Sequence, residues 1–284
     1  QLAVFPDAPE LPAEIMQSIA REFNLSETVF VRPAELAGAL RKLRIFTPAA
    51  ELPFAGHPTI GTAQLLVELG IAEAPAEGVA TFALEEGVGL VPVEVSRAAD
   101  GNCFTWLTTA CLPASRGDAP ARDILAAMLG LARDEILDDE DDAPTAYSAG
   151  VPFLCVPVRD RAALARAFVD VARWRGALAD AWAQDVFVFC HETDDNVNVR
   201  ARMFGPGVGL TEDPATGSAV AALAGYLWRR EPRAGRYVIA QGVEMGRPST
   251  LHLEMRGTEG RLEMVRVGGS AVRVSRGMMQ LAGR

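Results

Sequence analysis

The chain has 284 residues, enough for about two domains and a sizeable core. Hydrophobic residues make up 49% and charged residues 23%, which excludes a disordered, collagen-like or repeat-array chain. A formal charge of -10 sets its surface field against phosphate backbones and anionic membranes, so neither nucleic acid nor membrane is an expected partner.

In chain order, the apolar spacing of Ile15, Ile19, Ala20 and Phe23 predicts a helix over 11–23, stopped at Asn24. Strands are predicted over 28–31 and 43–48, which places Glu27 at a helix-to-strand junction. Pro58 at a first helical position and Gly70 beyond the end predict a helix over 58–69. Alternating stretches at 80–84, 90–95 and 103–109 suggest an antiparallel sheet. The Pro- and Gly-bearing stretch 113–120 is the expected linker, dividing an N-terminal domain, 1–112, from a C-terminal domain, 113–284, whose last strands are free to return to the first. Helices are predicted over 121–131, 161–182 and 214–228. Strands are predicted over 153–158, 186–190, 197–204, 236–240, 250–254, 261–267 and 271–275. The acidic run Asp138-Asp139-Glu140-Asp141-Asp142 reads as a solvated loop. Many strands and few long helices give an α+β pattern.

Several chemistries are excluded by what is missing. A single lysine, Lys42, sits between Arg41 and Leu43-Arg44 and suits neither a phosphate loop nor a Schiff base. Four cysteines (Cys103, Cys111, Cys155, Cys190) form no C-x-x-C pair, and His57, His191 and His252 form no H-E-x-x-H motif, so no metal site is expected. Gly205-Pro206-Gly207-Val208-Gly209 lacks G-x-G-x-x-G and reads as a plain turn, and no G-x-S-x-G elbow occurs. The opening Gln1-Leu2-Ala3-Val4-Phe5 has no signal-peptide character, so a cytoplasmic protein is expected.

The most informative feature is an internal repeat about 157 residues apart. Arg44-Ile45-Phe46-Thr47-Pro48 followed by Gly56-His57-Pro58-Thr59-Ile60-Gly61-Thr62-Ala63 reads like Arg202-Met203-Phe204-Gly205-Pro206 followed by Glu212-Asp213-Pro214-Ala215-Thr216-Gly217-Ser218-Ala219. This frame sets His57 on Asp213, Pro58 on Pro214, Gly61 on Gly217 and Thr62 on Ser218. A duplicated unit with pseudo-twofold symmetry follows, with a cleft between the halves. Two helix starts facing that cleft would offer unpaired N–H groups to an anionic substrate, a carboxylate being the natural guess. Gly56, Gly61 and Gly217 would let a ligand approach the backbone. Taken singly, Asp213 before Pro214 is also an ordinary helix cap, and Glu27 an ordinary solvated carboxylate.

Asn24-Leu25-Ser26-Glu27-Thr28, Glu51-Leu52-Pro53-Phe54-Ala55-Gly56-His57-Pro58-Thr59-Ile60-Gly61-Thr62-Ala63, Glu212 to Ala219, and Gln241-Gly242 with Gly246-Arg247-Pro248-Ser249 together resemble the PhzF-like phenazine-biosynthesis protein family. The likeness runs nearly the whole chain. It implies a diaminopimelate epimerase-like α+β fold: two similar domains, each a mostly antiparallel sheet wrapped around a central helix. It implies a homodimer that uses no metal or organic cofactor. The implied activity is a proton-moving isomerase similar to the dihydro-hydroxyanthranilate isomerase of phenazine biosynthesis. Glu27 matches the proton-carrying glutamate, His57 and Asp213 the polar pair flanking the substrate, and Gly56, Gly217 and Ser218 positions lining the cleft. Leu25, Phe30 and Phe54 are expected to enclose the Glu27 carboxyl and raise its pKa towards the working pH. Family members usually carry a strand and a Gly-Asn loop immediately before the stretch that opens here, so the chain is expected to begin past that segment. No cysteine lies near these motifs, which argues against a two-cysteine racemase. A Cys-independent epimerase and a non-catalytic metabolite- or protein-binding member of the same fold remain alternatives, separated by whether Glu27 is buried facing His57 and Asp213.

Overall fold

The run Glu27-Thr28-Val29-Phe30-Val31 sends alternate side chains to opposite faces of a strand, and in the structure both faces are covered. A computed structural model of the chain describes residues 1–8, 10–73, 78–98, 101–116, 119–191, 196–258 and 260–280. On one face of the strand Glu27–Arg32, Val29 and Val31 join the main core with the buried helix Gly56–Glu68. On the other, Phe30 packs with Phe46 under Met16, Ile19 and Ala20 of the helix Ala13–Phe23. Phe30 therefore does not enclose Glu27, contrary to the sequence expectation, because three residues along a strand reverse the face.

Among the described residues sixteen strands join in one sheet. The first half runs laterally Leu2–Phe5, Glu27–Arg32, Ala39–Phe46, Gly78–Glu86, Gly89–Arg97, Cys103–Thr108. The second runs Pro152–Pro157, Asp185–His191, Val199–Gly205, Gly235–Gln241, Ser249–Thr258, Arg261–Gly269. Each half has a parallel first pair, an antiparallel second, a parallel third and antiparallel hairpins beyond. The same pattern of pair directions occurring twice is the structural form of the repeat. Arg261–Gly269 then pairs antiparallel with Cys103–Thr108, so the last strand of the second half closes onto the first.

Each half wraps one helix. Gly217–Arg230 is buried from Gly217 to Trp228, and its alanines and glycine bring the sheet close: a Cβ on Gly225 would stand 2.5 Å from the Tyr147 ring. A helix apolar on every side belongs inside a core. A second apolar layer, including Leu125, Leu129, Leu164 and Trp174, covers the outer face of the second half.

Three expectations need correction. The predicted helix over 161–182 is two helices, Arg161–Arg166 and Val171–Ala177, because Asp160 and Asp170 each cap a new start by accepting backbone N–H groups. The predicted strand over 271–275 has no regular structure: Ala271 N–H donates at 2.8 Å to Gln64 Oε1 of the first central helix, where no strand partner lies. The acidic run is not wholly solvated, since Asp142 is buried and accepts from Tyr226 Oη at 3.2 Å. Of the expected linker, residues 117 and 118 lie outside the described residues, and Ala114–Ser115 forms a short edge strand. No helix among the described residues is long and apolar enough to cross a membrane.

Candidate active site

The two central helices begin against each other. A Cβ on Gly56 would lie 2.4 Å from Gly217 Cα, and one on Gly217 would lie 2.8 Å from Gly56 Cα. Only glycine permits two backbones this close. The contact sets the true frame of the repeat: Gly56 matches Gly217 and His57 matches Ser218. The frame read from sequence, His57 on Asp213, is off by five residues, because Asp213 ends the strand Leu210–Asp213 ahead of the helix Gly217–Arg230. Proline at the position after His57 and after Asp213 misled it. Gly61 consequently lies a turn inside its helix, against Leu2 and Ala271, and not in the cleft.

Around the paired starts lies a cavity of about 30 Å³ lined by Glu27, Phe54, Gly56, His57, Val151, Phe153, Asp185, Met203, Val208, Leu210, Asp213, Gly217 and Ser218, among others. All six residues singled out in the sequence are here: Glu27, His57, Asp213, Gly56, Gly217 and Ser218. A larger surface hollow of about 360 Å³ by Arg122, Asp123, Arg133 and Asp138 contains no buried acid–base pair.

Glu27, 6% exposed, opens its strand and turns its carboxyl inward, with Oε2 2.9 Å from His57 Nε2. Burial raises the Glu27 pKa; the His57 charge and hydrogen bond pull against it, and Asp213 adds to the rise. For His57, burial favours the neutral ring, but Glu27, Asp213 and the accepting carbonyl of Ala215 prevail and push it up to about 9. At neutral pH the pair thus holds a proton in common, on His57 when Glu27 is ready to accept another.

Asp213 is 2% exposed and locked in place. Its Oδ1 accepts from Ser26 Oγ at 2.8 Å and its Oδ2 from Thr216 Oγ1 at 2.7 Å. Ser26 has one proton and spends it on Asp213, so the Gln1 amide faces it nitrogen-first, while the amide oxygen accepts from Arg247 Nη1 at 2.8 Å. Gln241, fully buried, donates to the Asp213 carbonyl at 2.7 Å and to Thr216 Oγ1 at 2.8 Å, and accepts from Thr216 N–H at 3.1 Å. Gly242 follows at φ +75°, where a Cβ would stand 2.3 Å from Arg247 O. The Gln241-Gly242 and Gly246-Arg247 motifs are therefore a brace under Asp213.

Sequence reasoning missed the roles of Ser26, Thr216 and Gln241, although all three lie inside quoted motifs. It also missed Asp185, which stands outside them. Thr28 pairs with Phe46 and Val186 with Phe204, so in the repeat Asp185 occupies the place of Glu27. The signal was present: Arg44-Ile45-Phe46 aligned with Arg202-Met203-Phe204 fixes this partner once strand register is known.

A carboxyl and an imidazole sharing a proton in a dry cleft, opposite two helix N-termini, can remove a proton from carbon and return it. The comparisons agree with such chemistry. Residues 1–277 match the profile of the phenazine biosynthesis-like protein family. The chain is 42% identical over 285 residues to an uncharacterised isomerase of Mesorhizobium japonicum, covering 98% of this chain and 92% of that one. It is 36% identical over 282 residues to the trans-2,3-dihydro-3-hydroxyanthranilate isomerase of Pseudomonas aeruginosa, covering 99% and 93%. The crystal structure of a PhzF-family phenazine biosynthesis protein of Bacillus anthracis superposes with a TM-score of 0.83 at 25% identity, covering 96% of this chain and 91% of that one. The chain belongs to the phenazine biosynthesis-like protein family. Within it, this protein is an isomerase.

Proposed function

We propose that this isomerase moves a proton between two carbons of a small cyclic amino acid of the trans-2,3-dihydro-3-hydroxyanthranilate class, with Glu27 carrying the proton. The observation that bears most weight is the Glu27–His57 pair, 2.9 Å apart and buried at the mouth of two abutting helix starts. The substrate carboxylate sits on the first-turn N–H groups at Gly56, Gly217 and Ser218, where helix dipoles favour negative charge. Glu27, as carboxylate, takes the proton from a ring carbon. The electron pair left behind spreads through the conjugated system towards the carboxylate, next to the same N–H groups. Glu27, now the acid, returns the proton to a second ring carbon, and no group is oxidised or reduced.

His57 supplies the charge that keeps a buried Glu27 ionised before the reaction, and Asp213 keeps His57 protonated. The cavity of about 30 Å³ has room for about one water, so the halves 1–112 and 113–284, acting as two domains, part to admit substrate and close on it. The protein works without metal or organic cofactor, as a homodimer in a reducing cytoplasm where its cysteines stay free. The test is to incubate the purified protein with trans-2,3-dihydro-3-hydroxyanthranilate and follow its ultraviolet spectrum. Consumption of the diene with enzyme-like saturation supports the reading; an unchanged spectrum at micromolar enzyme over hours rejects this substrate class.

A further inference from the structure

The cleft holds a carboxyl that this mechanism does not use. Asp185 opens the strand Asp185–His191 as Glu27 opens its counterpart, is 5% exposed and lines the same cavity. Its Oδ1 accepts the Gly207 N–H at 3.0 Å. No cation pairs with it among the described residues. Val208, Met203 and Phe153 make that wall apolar. Burial pushes the Asp185 carboxyl up to about 6, against the pull of the Gly207 and Val208 N–H groups, so it is charged at neutral pH. A carboxylate has about four acceptor positions, and backbone N–H groups leave some of them unfilled. A charge in such a place is costly until a cation arrives.

Across the cleft a second feature points to a missing guest. Glu27 Oε2 and His57 Nε2 are 2.9 Å apart, and among the described residues neither fully buried atom has a partner beyond the other. The Glu27–His57 wall thus keeps buried polar atoms with capacity for a guest, and the Asp185 wall holds a buried carboxyl met, among the described residues, only by backbone N–H groups, while the helix starts between them suit an anion.

We propose that Asp185 is the specificity-determining residue of this site, receiving the ammonium group of a zwitterionic substrate whose carboxylate lies on the helix N-termini. The assignment rests on the isomerase reading of the same cleft, but it makes a separate claim about binding. It explains why the repeat keeps an acid at both places. Glu27 reaches His57 and handles a proton; Asp185, one carbon shorter and tied to the Gly207 turn, stays fixed and handles a charge.

The competing role for Asp185 is as a cap of the Pro206–Val208 turn alone. Asp185→Asn separates the two, since the amide oxygen still accepts the Gly207 N–H while the charge is gone. The experiment is calorimetric titration at pH 7.5 of two stable probes, cis-2-aminocyclohexanecarboxylate and cyclohexanecarboxylate, into the wild type, Asp185→Asn and Glu27→Gln, with melting curves of each. The wild type is expected to prefer the amino acid by about tenfold or more, as a charge-assisted hydrogen bond provides. Asp185→Asn should bind both probes within about threefold of each other, keep its affinity for the plain carboxylate, and melt like the wild type. The proposal is overturned if Asp185→Asn keeps the preference, if it loses affinity for both probes equally, or if the wild type has no preference. Glu27→Gln should keep the preference. If it does so while the wild type turns over no amino acid, the isomerase reading falls and the binding role of Asp185 stands.

Discussion

At the scale of single residues, the site works because two groups that dislike burial are buried together. Its partners push the His57 pKa up to about 9 from its ordinary 6.5, so its charge persists through neutral pH and is lost as pH rises through about 9. That charge is the largest influence lowering the pKa of Glu27, and without it burial raises Glu27 further. His57→Gln should therefore remove the alkaline limb of the kcat/KM profile near pH 9 and move the acid limb to higher pH, with a loss of about a hundredfold at pH 7. A pH–rate series on the two proteins checks both shifts. Unmoved limbs would show that the histidine does not govern the glutamate.

At the scale of elements, the two helix starts set the geometry, and both depend on missing side chains. A Cβ on Gly56 meets the Gly217 backbone at 2.4 Å and Ser218 N at 2.9 Å, where nothing rotates out of the way. Gly56→Ala should destabilise the fold by about 1–3 kcal/mol and abolish turnover by prising the helix starts apart; denaturant unfolding and activity measure the two effects. Behind the first helix start, Glu86 is 4% exposed, with Oε1 2.5 Å from Thr59 Oγ1. Thr59 has one hydroxyl proton, which it donates to Ala55 O at 2.6 Å, so the Glu86 carboxyl is the donor to Thr59 and is neutral. Burial pushes Glu86 up to about 8, against the pull of the Ala55 N–H. With the native pKa raised, its stabilising contribution is complete below about pH 4.5. It is lost as pH rises through about 8, at up to about 1.4 kcal/mol per unit. Glu86→Gln should flatten that fall in a Tm series from pH 5 to 9, and a parallel fall would mean Glu86 is ionised throughout.

At the scale of the whole molecule, duplication explains both what the sequence disclosed and what it hid. Glu27, His57 and Asp213 were legible because each stands in a short motif whose residue types fit proton chemistry. The longer strands were legible to within a few residues, with turn glycines such as Gly89 and Gly101, both at positive φ, punctuating them, whereas short strands such as Leu2–Phe5, Thr145–Ser148 and Leu210–Asp213 were not. The five-residue slip in the repeat was not avoidable from spacing, since His57-Pro58 and Asp213-Pro214 look alike while only the Gly56–Gly217 contact fixes the frame. Asp185 stayed hidden because it is recognised by strand register, a relation between distant segments. Ser26, Thr216 and Gln241 act through hydrogen bonds to a residue up to 187 positions away. Such contacts exist only after the second half has folded onto the first.

The central claim is that Glu27 moves a proton between substrate carbons, and solvent deuterium tests it most directly. The purified protein and Glu27→Gln are incubated in D2O with trans-2,3-dihydro-3-hydroxyanthranilate, and proton NMR follows each ring position. The mechanism predicts that isomerisation by the wild type is accompanied by deuterium at a ring carbon, and that both fall by about a thousandfold in Glu27→Gln while its melting curve stays native. Isomerisation at an undiminished rate in Glu27→Gln would contradict it and assign the proton to another group in the cleft.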